Sequence, residues 1–169
     1  MDRQQLECEL ERVHAPGFAW AVRCCDGNRA DAEDVLHQAY LKVLDGRAVY
    51  GGRSTFRTWL FGVIRFTAQE HRRRWWQHAA RLGRWWREQP PETLPAAVGS
   101  EDPRLDRLKR ALAGLSARQS EVLHLVFYQE MTIEEAAQVI GLPIGTARTH
   151  YERGKSRLRK LMAEGEAVA

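Results

Sequence analysis

Apolar residues recur three and four positions apart along almost the whole chain, and this spacing restricts the fold to packed α-helices. The stripes run over residues 6–25, 32–44, 56–67, 105–115 and 147–161, the first interrupted near Pro16 and Gly17. Only 13 glycines and 6 prolines occur in 169 residues, too few for a β-rich chain with many tight turns. The sequence therefore predicts an all-α fold.

One segment without apolar periodicity divides the chain at residues 88–103. It holds four of the six prolines and neither Lys nor Arg, a composition typical of a linker. The sequence predicts two small helical domains, over residues 1–87 and 104–169, joined by a mobile linker over residues 88–103.

Charge is distributed unevenly along the chain, although the net charge is only +4. Residues 47–87 carry ten basic groups and one acidic group, and residues 144–169 carry six and three. Two separated basic blocks favour a polyanionic partner that is contacted at two places, and the alternative is a solvated basic surface.

The chain shows none of the usual signs of a secreted, membrane-bound or metal-stabilised protein. No apolar run approaches the roughly 20 residues of a membrane span, and no leader-like stretch follows Met1. Cys8, Cys24 and Cys25 match no ligand or disulfide spacing. We therefore expect a cytoplasmic protein with no membrane partner, no metal and no cofactor.

The C-terminal domain carries a helix-turn-helix pattern. Ser116 with Gln119 and Thr132 with Glu135 form two capping boxes, and Gly141 suits the left-handed end of the second helix. The next helix buries one face, and its other face is polar and basic. Such a helix enters the DNA major groove, where arginine reads guanine. The alternative is a plain three-helix bundle with a basic surface.

The N-terminal basic block interleaves arginines with aromatic residues. Trp59 and Phe66 are seven positions apart and share one side of a helix, and Phe61 and Arg65 are expected roughly opposite the buried stripe. Rings among cations suit unpaired bases, which stack while their phosphates meet arginine. Core packing is the alternative for Trp59.

An acidic segment at residues 31–34 opens the helix that precedes this block. Asp34 and Gln38 lie one turn apart, outside the apolar stripe. The segment predicts either a solvated helix start or a docking face for a protein partner.

Together these residues resemble the sigma-70 family in its extracytoplasmic-function (ECF) branch. Residues 18–76 resemble region two, through the runs at 27–35 and 54–60, and residues 105–162 resemble region four, through the runs at 115–119, 132–137 and 145–149. The family departs from this chain at Phe66, commonly Asn, at Glu70, commonly Asp, at Gly62, and at His150 with Tyr151. These departures leave the promoter sequence open.

The resemblance implies core RNA polymerase and promoter DNA as partners, with an anti-sigma factor as a further candidate. The acidic helix would dock on the clamp helices of the largest polymerase subunit through Asp34, Val35, Gln38 and Leu41. The second domain would contact the polymerase flap, and the acidic linker would run toward the active centre.

The resemblance also assigns the two basic blocks to promoter elements. The opened −10 strand would be held by Ser54, Phe56, Arg57, Trp59, Phe61, Arg65, Phe66, Arg72 and Arg73. The −35 element would be read by Thr146, Arg148, Thr149, His150, Glu152, Arg153 and Lys155.

Two other classes of protein are alternatives to this interpretation. A stand-alone helix-turn-helix repressor or activator binds duplex DNA by itself and needs neither the aromatic block nor the acidic helix. An enzyme is not expected, because no nucleophile–base grouping, phosphate-binding glycine loop or ligand-spaced Cys/His set is present. His124 and His150 are expected at the surface.

Overall fold

The computed structural model describes residues 2–82, residue 108 and residues 111–164. Within these ranges the chain is helical and has no strand, and the predicted all-α fold is confirmed. The helices are α1 (Arg3–Arg12), α2 (His14–Cys24), α3 (Arg29–Leu44), α4 (Phe56–Leu82), α5 (Ala117–Leu123), the π-helical turn (His124–Tyr128), α6 (Ile133–Ile140) and α7 (Ile144–Glu164).

The first helical stripe forms two helices whose boundary differs from the expected one. Asp2 and Gln5 make a capping box, so α1 begins earlier than the apolar stripe indicates. The break falls at Val13, and Pro16 lies in the first turn of α2 rather than at an interruption. Proline is tolerated there because the first-turn N–H groups have no partner within the helix.

Helices α2, α3 and α4 build the core of the N-terminal half, defined here as α1–α4. The Asn28 side chain accepts a hydrogen bond from Asp31 N at 3.2 Å, and this cap starts α3. Trp20, Val35, Leu60 and Ile64 are fully buried in this core.

The C-terminal half, defined here as residues 111–164, contains the helix-turn-helix. Both predicted capping boxes are present, and Gly141 ends α6 at a φ of 67°. An added Cβ at buried Gly154 would lie 3.0 Å from Leu123 Cδ1, so the glycine lets α7 approach α5 closely.

The π-helical turn changes which residues of the C-terminal half are buried. Phe127 lies four positions after the buried Leu123, the spacing of one helix face, yet Phe127 is 61% exposed and Leu125 is fully buried. A π turn is wider than an α turn and rotates the side chains after it, which sequence periodicity does not register.

The two halves share one hydrophobic core, mainly through α4 and α6. His124 lies between them, with its ring centroid 5.5 Å from that of Trp20. The expectation of a surface His124 is therefore wrong. Burial disfavours the charged ring and, with Arg23 nearby, lowers the pKa of His124 to about 4, so the ring is neutral at pH 7.

The described residues do not include the predicted linker. The linker predicted at 88–103 lies outside them, and the division into domains 1–87 and 104–169 stays a prediction. In the described part of the chain, no helix is long and apolar enough to cross a membrane, and no cluster of metal-binding side chains occurs.

A backbone feature beside the π-helical turn gives a stability prediction. Glu130 has a φ of 53°, a conformation that costs a side-chain-bearing residue about 1–2 kcal/mol. Glu130→Gly removes this strain at a smaller entropic cost and is expected to raise the free energy of unfolding by about 0.5–1 kcal/mol. Gly141→Ala introduces the same strain and is expected to lower it by about 1–2 kcal/mol. Urea unfolding measures both, and destabilisation by Glu130→Gly would contradict the prediction.

Candidate nucleic-acid interface

Helix α4 carries most of the predicted strand-binding residues, and the fold gives it two different faces. One face packs against the C-terminal half, and we call this contact the seam. The other face opens into a cleft of about 610 Å³. Six of the nine predicted residues lie at the seam or in the cleft.

The seam covers residues that the sequence had placed at the surface. Phe61 is fully buried, and Trp20 Nε1 donates a hydrogen bond to Phe61 O at 3.0 Å. Arg65 is 9% exposed, and Phe56 is also buried, against Tyr50 and Trp59. The prediction of exposed Phe61 and Arg65 is wrong, because the C-terminal half covers that side of α4.

Polar contacts in the seam provide partners for the buried Arg65 and the half-buried Arg57. Arg65 Nε and Nη2 donate to the two Glu121 carboxylate oxygens at 3.1 and 3.3 Å. Arg57 Nη2 donates to Gln129 O and Gln129 Oε1, both at 2.8 Å. Thr58 Oγ1 donates to a Glu135 oxygen at 3.4 Å. Residues of the C-terminal half thus accept hydrogen bonds from both arginines.

The cleft brings together three of the predicted residues with cations that the sequence alone did not point to, and Gln138 of α6 borders it. Trp59 and the 59%-exposed Phe66 line it with half-buried Ser54. Lys42, Arg47 and Arg74 also line it. An exposed ring surrounded by cations is suited to an unpaired base and its phosphates.

Lys42 connects the cleft to α3. Its Nζ donates to Thr67 Oγ1 at 3.0 Å, forms a close ion pair with Glu70, and lies 5.4 Å from the Phe66 ring centroid. This partly buried pair fixes the cleft wall between two helices. Lys42 precedes Phe66 by 24 residues, so no local spacing pointed to it.

Arg72 and Arg73 extend the basic surface along α4, and both are exposed. Arg72 Nη2 donates to Cys24 O at 2.9 Å, which holds it near the end of α2.

The cysteines at the end of α2 are unreactive as thiolates. Burial raises the pKa of the Cys24 thiol and raises that of Cys25 to about 11, so both thiols are protonated at neutral pH.

The acidic start of α3 offers a smaller docking face than predicted. Asp34 and Gln38 are exposed, and Leu41 is half-buried. Val35 is fully buried in the core and contacts no partner from there, which corrects its place among the docking residues.

The outer face of α7 is polar, basic and accessible. Of the predicted −35 residues, the half-buried ones are His150 and Lys155, and the exposed ones are Thr146, Arg148, Thr149, Glu152 and Arg153. Arg148 lies 3.6 Å from Glu134 in an exposed pair, and such pairs contribute little to stability. The face is therefore free to exchange these contacts for DNA.

Comparison with known families matches both halves. The description "Sigma-70 region 2" matches residues 11–78, and "Sigma-70, region 4" matches residues 111–160, together more than two thirds of the chain. The RNA polymerase sigma factor CarQ of Myxococcus xanthus is 30% identical over 162 residues, 94% of this chain and 90% of CarQ. The chain belongs to the sigma-70 family.

Two further relatives refine the assignment of this sigma factor. The ECF RNA polymerase sigma factor SigC of Mycobacterium tuberculosis is 30% identical over 131 residues, 75% of this chain and 68% of SigC. The sigma factor RpoE from Bartonella quintana, solved with the anti-sigma factor NepR, has a TM-score of 0.68 at 25% identity, covering 95% of this chain and 98% of that one. The chain is an ECF sigma factor.

Region two corresponds to the N-terminal half and region four to the C-terminal half, with the helix-turn-helix in α6 and α7. The chain therefore acts in transcription initiation, and sigma factors as a class are DNA-binding regulators of transcription rather than enzymes.

Proposed function

We propose that this sigma factor binds core RNA polymerase, reads a promoter at two elements and holds the opened −10 strand. The observation that carries the proposal is the pair of accessible basic surfaces on one chain. One is the outer face of α7, and the other is the aromatic cleft beside α4. A repressor that binds only duplex DNA does not need the second surface, because that surface is suited to unpaired bases.

The −35 element is assigned to α7. Arg148 and Arg153 are exposed, five positions apart, and reach either base edges or phosphates. Thr149 Oγ1 donates to Gly145 O at 2.9 Å within the first turns of the helix. The hydroxyl oxygen remains an acceptor for a base amino group.

The −10 strand is assigned to the cleft rather than to the covered face. Phe66 is the freest ring there, since Trp59 also packs on Tyr50 and Phe56, with centroids 5.4 Å away in each pair. An unpaired base stacking on Phe66 places its phosphates near Arg47 and Arg74. Arg72 and Arg73 continue the basic path along α4.

Protein partners are assigned to the remaining exposed surfaces. Asp34, Gln38 and Leu41 form the docking face for the polymerase clamp helices, and region four contacts the flap. The complex of RpoE with NepR supports an anti-sigma factor as an additional partner. Because its work is on RNA polymerase, we place the protein in the cytoplasm.

Run-off transcription with core polymerase and a promoter library tests the proposal. We expect transcripts from a subset of promoters that share two elements, and none without the protein. Sequence-specific duplex binding without polymerase, combined with no run-off product, would instead support a stand-alone helix-turn-helix regulator.

Charge reversal tests the docking face. Asp34 is exposed and outside the core, so Asp34→Arg is expected to weaken core-polymerase binding at least about tenfold while helicity stays unchanged. Pull-down titration and circular dichroism measure the two effects. Glu7→Arg, the same reversal at an exposed site on α1, is the control. Equal binding by both variants would show that the acidic segment starts the helix and does not dock on polymerase.

The cleft assignment predicts that Phe66 acts in strand opening. Phe66→Ala is expected to reduce permanganate reactivity at the −10 region and leave binding to a −35 duplex intact, because stacking rewards only unpaired bases. Phe66 is 59% exposed, so little stability is lost. Leu44→Ala, at an exposed apolar site on α3, is the control, and normal opening by Phe66→Ala would remove the ring from the melting step.

The two arginines of α7 are expected to differ according to what they contact. Replacing one that reads guanine by Ala costs about 1–3 kcal/mol and relaxes the preference at one −35 position. Replacing one that contacts only phosphate weakens binding to every sequence and flattens the salt dependence. Binding isotherms for Arg148→Ala and Arg153→Ala on a −35 library at two salt concentrations separate these outcomes. No change in either variant would contradict α7 as the recognition helix.

A further inference from the structure

Three arginines line a second cavity, which lies between the end of α2, α4 and α5. Arg65 and Arg72 of α4 and Arg118 of α5 belong to its wall, and its volume is about 230 Å³. We call this cavity the arginine pocket. It shares no lining residue with the cleft, so it is a separate feature of the molecule.

The wall of the arginine pocket is positively charged. It holds three guanidinium groups and, among the described lining residues, one carboxylate, that of Glu121. Glu121 pairs with Arg65 and with Arg118, at 3.1 Å in each case. Asp26 lies 3.9 Å from Arg72, but its side chain is 76% exposed and lies outside the wall. A concave wall with an excess of one charge focuses the electrostatic potential and attracts ions of the opposite sign.

Two of the guanidinium groups are held in place and still have N–H groups to donate. Arg72 Nη2 donates to Cys24 O at 2.9 Å, and Arg118 Nη1 donates to Glu121 at 3.1 Å. Their other guanidinium nitrogens have no hydrogen-bond partner in the part of the chain that the structure describes. A guanidinium presents five donors in a planar fork that matches phosphate oxygens. Because both groups are already oriented, binding an anion costs little side-chain entropy.

The size and lining of the arginine pocket favour a small anion. Pockets for organic ligands occupy about 300–1,000 Å³, and this one is smaller. Its described lining residues include no aromatic ring, so a base has nothing to stack on. Ala68 and Ala117 leave room between the arginine side chains.

We propose that the arginine pocket binds a phosphate group of a small multivalent anion, with diphosphate as the simplest example. Arg72 and Arg118 donate to the phosphate oxygens. Arg65, which is 9% exposed and bonded to Glu121, adds its charge from behind them. Neither promoter reading nor polymerase binding requires such a ligand.

Calorimetric titration of the free protein with sodium pyrophosphate at constant ionic strength tests the proposal. We expect one site per chain, and Arg72→Gln and Arg118→Gln are each expected to weaken binding at least about tenfold. Their side chains are 54% and 42% exposed, so both variants are expected to fold, which circular dichroism checks. Arg53→Gln, at an exposed loop site outside the pocket, is the control. Equal binding by the three variants, or no heat beyond that given by sodium chloride, would overturn the proposal.

A charge added to the wall tests the same site without removing an arginine. Ala117 is exposed, lines the pocket and lies in the first turn of α5, where a carboxylate is compatible with the helix dipole. Ala117→Glu is expected to bind pyrophosphate at least about tenfold more weakly than Ala117→Gln, which has the same shape and no charge. Equal affinities of these two variants would contradict an anion site here.

Two sources supply a phosphate group, a free diphosphate and the backbone of a DNA strand. Bound pyrophosphate that a single-stranded oligonucleotide does not displace assigns the pocket to the free anion. Displacement that Arg118→Gln weakens assigns it to a strand phosphate. None of these measurements uses polymerase or a promoter, so the proposed function can fail while the site stands, and the reverse also holds.

Discussion

Two guanidinium groups on one side of α4, those of Arg57 and Arg65, set the arrangement of the two regions. A guanidinium removed from water costs several kcal/mol unless its N–H groups and its charge find partners. Region four supplies those partners at Gln129 and Glu121, one at each end of the seam. The apolar packing of Phe61 and Trp20 lies between these two contacts, so the polar pairs fix the orientation of the two halves around the core that they share.

The features that sequence predicts well are those decided within a few residues. The caps at Asn28, Ser116 and Thr132 each depend on a side chain three positions from its backbone partner, and all are present. The left-handed conformation of Gly141 follows from the absence of a Cβ, and it separates the two helices of the helix-turn-helix. This part of the fold and the exposed face of α7 could therefore be predicted from the sequence.

The residues that sequence misassigned are those whose surroundings come from distant parts of the chain. Phe61, Arg65 and His124 lie on faces that a one-dimensional stripe leaves open, and each is covered because the two regions meet there. Val35 is different, since its spacing placed it in the buried stripe and only the family resemblance moved it to the surface. Lys42 went unnoticed because its contacts with Glu70 and Phe66 span two helices.

The two faces of α4 have different surroundings. The face at the seam is covered, whereas Phe66 on the other face stays exposed among cations in the cleft. Gln138 of α6 also lines this cleft, so the C-terminal half borders it without covering the ring.

The seam combines apolar and polar contacts. Trp20, Phe61 and Leu125 are fully buried in the shared core, and Arg65 and Gln129 make the polar contacts beside them. Arg57 Nε is buried without a hydrogen-bond partner among the described residues, so the packing of the two halves leaves one donor unsatisfied. Such a donor costs about 1–3 kcal/mol. The apolar burial around it has to offset this cost, so packing and hydrogen bonding act together to hold the C-terminal half on α4.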